Sequence, residues 1–216
     1  LRTLAEDNGW GFYVTENGAV FNPQDLQRFS VVVFNSATGD MLSEAQETAF
    51  QEWLETGGGW IGIHAAGDGS HRGWDWYIDQ LLGAHFTAHI MGPQTQPARV
   101  VVERGDHPVM AGLPASWVQA EEWYSWQQSP RIHGFIPLAT VDEDSYDPSA
   151  RMLGRFTDLR MGDHPVVWIN CVAQGRSLYA AMGHWASAFE VPQYRKLLDN
   201  ALRWAMGEGP SGCHSQ

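Results

Sequence analysis

Four side chains in this sequence combine ionisable chemistry with positions where a fold would display them: His64, His184, His89 and Glu122. His64 ends the apolar run Trp60-Ile61-Gly62-Ile63 and is followed by Ala65-Ala66-Gly67-Asp68. That is the pattern of a buried parallel strand delivering a histidine into a small-residue turn. His184 follows a second strand pattern, Ser177 to Met182, through Gly183. His89 lies in an irregular stretch after a glycine-ended helix, and Glu122 lies in the aromatic segment Glu121-Glu122-Trp123-Tyr124-Ser125-Trp126. Open α/β folds bind ligands at the carboxyl ends of their strands, and imidazole moves protons or ligates metals near neutral pH. Two chemistries fit: acid–base work on a polar substrate, or a divalent metal held by His64, His184 and Glu122. Neither H-x-H nor H-E-x-x-H occurs, so metal ligands would have to come from separate loops.

The other histidines read as structural. His107 and His164 occupy Asp-His-Pro turns, where they can satisfy nearby backbone groups. His71, His133 and His214 read as surface residues, and His85, four positions before His89, is ambiguous. There is no G-x-S-x-G and no G-x-x-x-x-G-K, and no serine or cysteine occupies the elbow after the His64 strand. A covalent acyl-enzyme at that position is not expected.

Composition narrows the partners. The 216 residues suit one domain with a substantial core. A net charge of −12 disfavours a nucleic-acid backbone, which needs clustered cations. No apolar run is long enough to span a membrane, and a cytoplasmic location is expected. Eleven tryptophans are many for this length. Most read as core, but Trp123 and Trp185, next to Glu122 and His184, are candidate walls for a sugar ring. Cys171 and Cys213 indicate no disulfide framework.

The elements that must position these residues follow from periodicity. Residues 1–8 read as the end of a helix capped by Gly9, and Gly11 to Thr15 as a strand. Ser30 to Asn35 is a β-branched strand with polar residues at its carboxyl end. Ser43 and Gln46 form a capping box for a helix bearing Ala49, Phe50, Trp53 and Leu54, which stops at Gly57-Gly58-Gly59. A short helix is expected over 74–82, strands over 98–103 and 136–141, and a weakly structured polar excursion over 142–163. Val166 to Asn170 and Ser177 to Met182 should pair around Gln174-Gly175. Gln193 to Met206 has the clearest helical period. The reading is one domain over 1–208, built with right-handed parallel crossovers, and a disordered tail over 209–216.

Several of these pieces occur together in one known family. They are Val32-Val33-Phe34-Asn35 with Thr38-Gly39-Asp40, Gly57 to Ala66, Asp106-His107-Pro108, Glu121 to Tyr124, Ala181 to His184, and Arg203-Trp204-Ala205. The chain resembles the ThuA-like (trehalose-utilisation) family of the class I glutamine-amidotransferase-like superfamily. The resemblance implies a flavodoxin-like three-layer sandwich with a mostly parallel central sheet. His64 falls where true amidotransferases carry their cysteine, so glutamine hydrolysis is not expected. The resemblance further implies a role in disaccharide catabolism, beside dehydrogenases that oxidise a sugar hydroxyl to a ketone. Its polar cluster falls on Asn35, His64, Glu122, Tyr124 and His184, with His89 nearby. Family members begin with a central strand and a polar loop ahead of the first helix, so the sequence is expected to be incomplete at its start.

Three functions follow as expectations. The first is acid–base isomerisation, elimination or hydrolysis of a keto-glycoside, with His64 and His184 as base and acid and Glu122 orienting one of them. Asn35, Asp68, His89, Trp123, Tyr124 and Trp185 would contact the sugar. The second adds a divalent metal on His64, His184 and Glu122. The third is a non-catalytic glycan-binding or interaction module. A small carbohydrate is the expected partner in all three, and a homo-oligomer is compatible with each.

Overall fold

The β-branched run Val31–Asn35 (β1) and the glycine-led run Gly59–Ile63 (β2) lie side by side in parallel, with Asn35 level with Ile63. On its other side β2 pairs in parallel with Gly175–Ala180 (β11), with Ile63 level with Ala180. The computed structural model describes residues 1–212. Its main sheet continues through Pro165–Val172 (β10), Ile136–Val141 (β7), Gln96–Val102 (β4) and Ser116–Glu121 (β5), in the order β1-β2-β11-β10-β7-β4-β5. Two antiparallel pairs stand outside it: Phe86–His89 (β3) with Tyr124–Trp126 (β6), and Ser149–Met152 (β8) with Arg155–Asp158 (β9).

The fold is α/β, as expected, but its sheet is mixed rather than mostly parallel. Only β1/β2 and β2/β11 are parallel; the four pairings from β11 across to β5 are antiparallel. Connection length explains the first of these. β10 and β11 are joined by Ala173 and Gln174 alone, and a two-residue turn can only return the chain antiparallel, whereas a parallel return needs a crossover of a dozen residues or more.

Gly11 to Thr15 also departs from the strand reading. The segment is irregular, and Phe12, Tyr13 and Val14 are exposed. β1 pairs only with β2, so these backbone groups join no ladder. Without one a strand is not held.

Helices cover the parallel end of the sheet. Glu44–Glu55 (α3) begins at the Ser43/Gln46 capping box, and its Phe50 stacks on Phe34 of β1 at 5.4 Å. Pro192–Ala205 (α4) buries Tyr194, Leu197, Leu198, Ala201 and Trp204, as its period requires. It runs so close to β2 that a Cβ on Gly59 would lie 2.3 Å from the Ala205 carbonyl oxygen. Two shorter helices, Arg2–Asn8 (α1) and Pro23–Leu26 (α2), precede β1. The helix expected over 74–82 forms over 75–82, its Tyr77–Leu82 part a wide π turn stopped by Gly83.

Two further readings are revised. The polar excursion is ordered as the β8–β9 hairpin preceded by a turn at Glu143–Ser145. Residues 209–212, expected in a disordered tail, are tied down. Arg176 donates to the Gly209 carbonyl at 3.0 Å, and Trp204 Nε1 donates to that of Ser211 at 2.9 Å. Residues 213–216, Cys213 and His214 among them, lie outside the described residues. No helix among the described residues is long and apolar enough to cross a membrane.

Candidate functional site

β2 and β11 end together, and both chains turn at that edge. His64 takes up φ +49, a left-handed conformation that a residue with a side chain adopts only under local constraint. Tyr179 supplies part of that constraint, its hydroxyl donating to the His64 carbonyl at 2.6 Å. On the imidazole, Nδ1 lies 2.9 Å from the Ala181 carbonyl. A carbonyl can only accept, so Nδ1 carries the proton. Nε2 is left to face the site. It lies 2.9 Å from His184 Nδ1 and 3.2 Å from Glu122 Oε2, and His184 Nδ1 is 3.4 Å from that same oxygen.

Glu122 divides its two oxygens between different neighbours. Oε1 receives Gln94 Nε2 at 2.5 Å and has His89 Nδ1 at 3.3 Å; Oε2 faces His64 and His184. Burial opposes this carboxylate, but the neighbouring His64 ring, the hydrogen bond from Gln94 and the charges of His89 and His184 outweigh it and hold the pKa below its ordinary value. His184 moves down as well, chiefly by burial and against the pull of Glu122. Tyr124 lies with its ring 4.4 Å from that of His64, and burial together with Glu122 pushes its phenol up, so it stays protonated. The His64 and Glu122 side chains are 3% and 5% exposed, whereas those of His184 and His89 are 19% and 28% exposed. His184 and His89 are thus the members of the cluster nearest the surface, although His184 Nε2 itself is buried.

His64, His184, Glu122, His89 and Tyr124 come together as the sequence implied. Trp185 stands 55% exposed beside them, its ring 4.4 Å from that of His184. Trp123 does not join them. It is fully buried, its Nε1 donates to the Gln96 carbonyl at 2.8 Å, and it belongs to the core rather than to a sugar-binding wall. Asn35 is exposed at the end of β1, and Asp68 accepts from the Ser70 amide at 2.9 Å in the turn after His64. Neither is hydrogen-bonded to the cluster among the described residues. His107 and His164 are structural, as read: one accepts from the Val109 amide, and the other lies between Glu143 and the Tyr124 carbonyl. His71, read as surface, is buried with its ring 4.4 Å from that of Tyr77.

Two residues of the site escaped the sequence reading. Gln94 carries no local pattern that marks it. Glu121 does: Trp117, Gln119 and Glu121 alternate along β5 and all three are buried, and polar residues on the inward face of a strand need partners.

His64 Nε2, His184 Nδ1 and Glu122 Oε2 could together handle a proton or hold a cation. They are also the group of metal-capable ligands found among the described residues, their atoms lying within 4.8 Å of one another.

The family model described as trehalose utilisation (ThuA) matches residues 1–205. Among solved structures, a ThuA-like protein from Bacteroides uniformis is 30% identical, with 98% of this chain and 83% of that one covered and a TM-score of 0.79. A ThuA-like protein from Parabacteroides merdae shares 18% identity over 95% of this chain and 82% of that one, with a TM-score of 0.71. A cytoplasmic protein from Salmonella typhimurium shares the fold at 10% identity, with 94% and 85% covered and a TM-score of 0.66. No curated protein matches.

Proposed function

The chain belongs to the trehalose-utilisation (ThuA) family, and from that premise we propose that it is an acid–base enzyme acting on an oxidised (keto) glycoside. One observation carries the chemistry: the His64 Nε2, His184 Nδ1 and Glu122 Oε2 contacts at 2.9 to 3.4 Å, with His184 Nε2 left without a partner. With the His64 proton fixed on Nδ1, its Nε2 accepts from His184 Nδ1. The unpartnered His184 Nε2, shielded from solvent within the fold, is then the free base.

A ketone acidifies the neighbouring C–H. His184 Nε2 takes that proton, the C–H electron pair becomes the enolate, and Glu122 Oε2 stabilises the imidazolium that forms. Tyr124, whose phenol stays protonated, would donate to the enolate oxygen. Return of the proton to the other carbon, with the hydroxyl proton of the first carbon passing to the enolate oxygen, isomerises the sugar; departure of the glycosidic oxygen with the abstracted proton eliminates the partner sugar. General acid–base help of this kind contributes roughly 10²–10⁴-fold. The roles of the two histidines are thus sharper than base and acid: His184 exchanges the proton with substrate and His64 orients it. Trp185 offers an apolar face for the ring. Incubation with a panel of keto-disaccharides, followed by mass spectrometry, tests this reading. Product from the wild type and none from His184→Ala supports it, and equal turnover by the two rejects it.

A second reading has its own support. Zinc held tetrahedrally at about 2.0–2.1 Å sets its ligand atoms about 3.4 Å apart, near the 3.2 and 3.4 Å found here from Glu122 Oε2 to the two histidines. A ligating histidine usually donates its other N–H to a carbonyl, as His64 does to Ala181. Such an ion would polarise the ketone oxygen. Elemental analysis after mild purification separates the two readings.

A further inference from the structure

Glu122 addresses the ring of His184, and its chain neighbour Glu121 addresses the backbone of the same residue. Glu121 is fully buried. Its Oε1 accepts from the Gly183 amide at 3.1 Å and its Oε2 from the His184 amide at 3.2 Å. Behind it, Gln119 Nε2 donates to Oε1 at 2.6 Å, and Trp117 Nε1 donates to Gln119 Oε1 at 3.1 Å. Two consecutive N–H groups pointing into one carboxylate form an anion cradle. Here the anion is a side chain from the opposite edge of the sheet.

The cradle is held from other sides as well. Gly183 sits at φ +111, and a Cβ there would lie 2.7 Å from Ile63 Cγ2. The Tyr194 hydroxyl donates to the Met182 carbonyl at 2.8 Å. A buried carboxylate is costly to keep. A turn alone could have been closed by a neutral acceptor.

We propose that Glu121 is a positioning residue: by gripping the Gly183 and His184 amides it sets the direction of the His184 ring, so that Nδ1 meets His64 Nε2 and Glu122 while Nε2 faces substrate. The inference rests on the proposed function for its catalytic consequence, but its structural part stands without it. Glu121→Gln keeps the volume and replaces one acceptor oxygen with a donor NH₂ group. One of the two amides then faces a donor, and the turn has to shift.

The test is imidazole ¹⁵N spectroscopy on the folded protein with chelator present, paired with turnover assayed on the same panel of keto-disaccharides. Wild type should show His184 locked with its proton on Nδ1. Glu121→Gln should show mixed tautomers and a kcat lower by about 100-fold, the cost of a misplacement of about 1 Å, with KM nearly unchanged. Tyr194→Phe, which removes another buried hydrogen bond from the same turn, should keep the wild-type tautomer.

A locked tautomer and unchanged kcat in Glu121→Gln would overturn the proposal, and so would scrambling in Tyr194→Phe as well. If Glu121→Gln does not fold, Glu121→Asp decides by the same readouts, because its shorter arm cannot reach both amides. A wild type that turns over no keto-sugar counts against the proposed function alone, and the spectra still decide the role of Glu121.

Discussion

His64 Nε2 and His184 Nδ1 stand 2.9 Å apart although 120 positions separate them in the chain. Neighbouring parallel strands end side by side, so β2 and β11 bring their following turns to one edge. The two imidazoles meet there through one N···N contact, and that contact is what the first predictions probe.

Replacing His184 by alanine should lower turnover by roughly 10²–10⁴-fold while leaving the fold intact, since its side chain is partly exposed at 19%. Steady-state kinetics together with near-ultraviolet circular dichroism check both halves of that statement.

Trp185 and Trp123 should behave as opposites. Trp185→Ala, at an exposed ring, should raise KM with little change in kcat or melting temperature. Trp123→Ala should cost about 3–5 kcal/mol of stability, as truncation of a core aromatic does. A thermal melt and a Michaelis plot for each variant separate them.

Glu143 supplies a pH-dependent stability. Burial opposes its ionisation, but the His164 ring and the Met161 and Gly162 amides outweigh that and bring its pKa from 4.5 down to about 2. The folded state therefore releases the proton more readily than the unfolded chain. The stabilisation is complete above pH 4.5 and is lost as the pH falls toward about 2. Denaturant titrations of wild type and Glu143→Gln should show a stability gap near neutrality that narrows across that window.

Histidine burial adds a second, milder acid sensitivity. His71 and His107 are both held below the usual value of 6.5, chiefly by desolvation. The unfolded chain binds their protons more readily, so stability should decline as the pH drops below about 6.5. His71→Phe should flatten that decline in a melting-temperature profile.

Much of this site was legible in the sequence, and the reasons differ residue by residue. His64 and His184 each follow a strand-like run, and a strand end is a local pattern. Gln94 was invisible because its role depends only on where a loop lands. Trp123 and Trp185 have the same side chain, and only the packing of the β5–β6 segment decides that one is buried. The β10–β11 hairpin was announced by its Gln174-Gly175 turn, but the other antiparallel pairings were missed because pairing is a long-range choice that strand periodicity does not encode. Glu121 had a readable signal: alternating Trp117, Gln119 and Glu121 predicts a polar file on an inward face.

The most direct test is solvent deuterium exchange into a keto-disaccharide at the carbon beside the ketone, followed by mass spectrometry or proton NMR. Wild-type protein should exchange that position, and His184→Ala should not. Equal exchange by the two proteins, or none by the wild type, would contradict a proton-transferring His64–Glu122–His184 cluster.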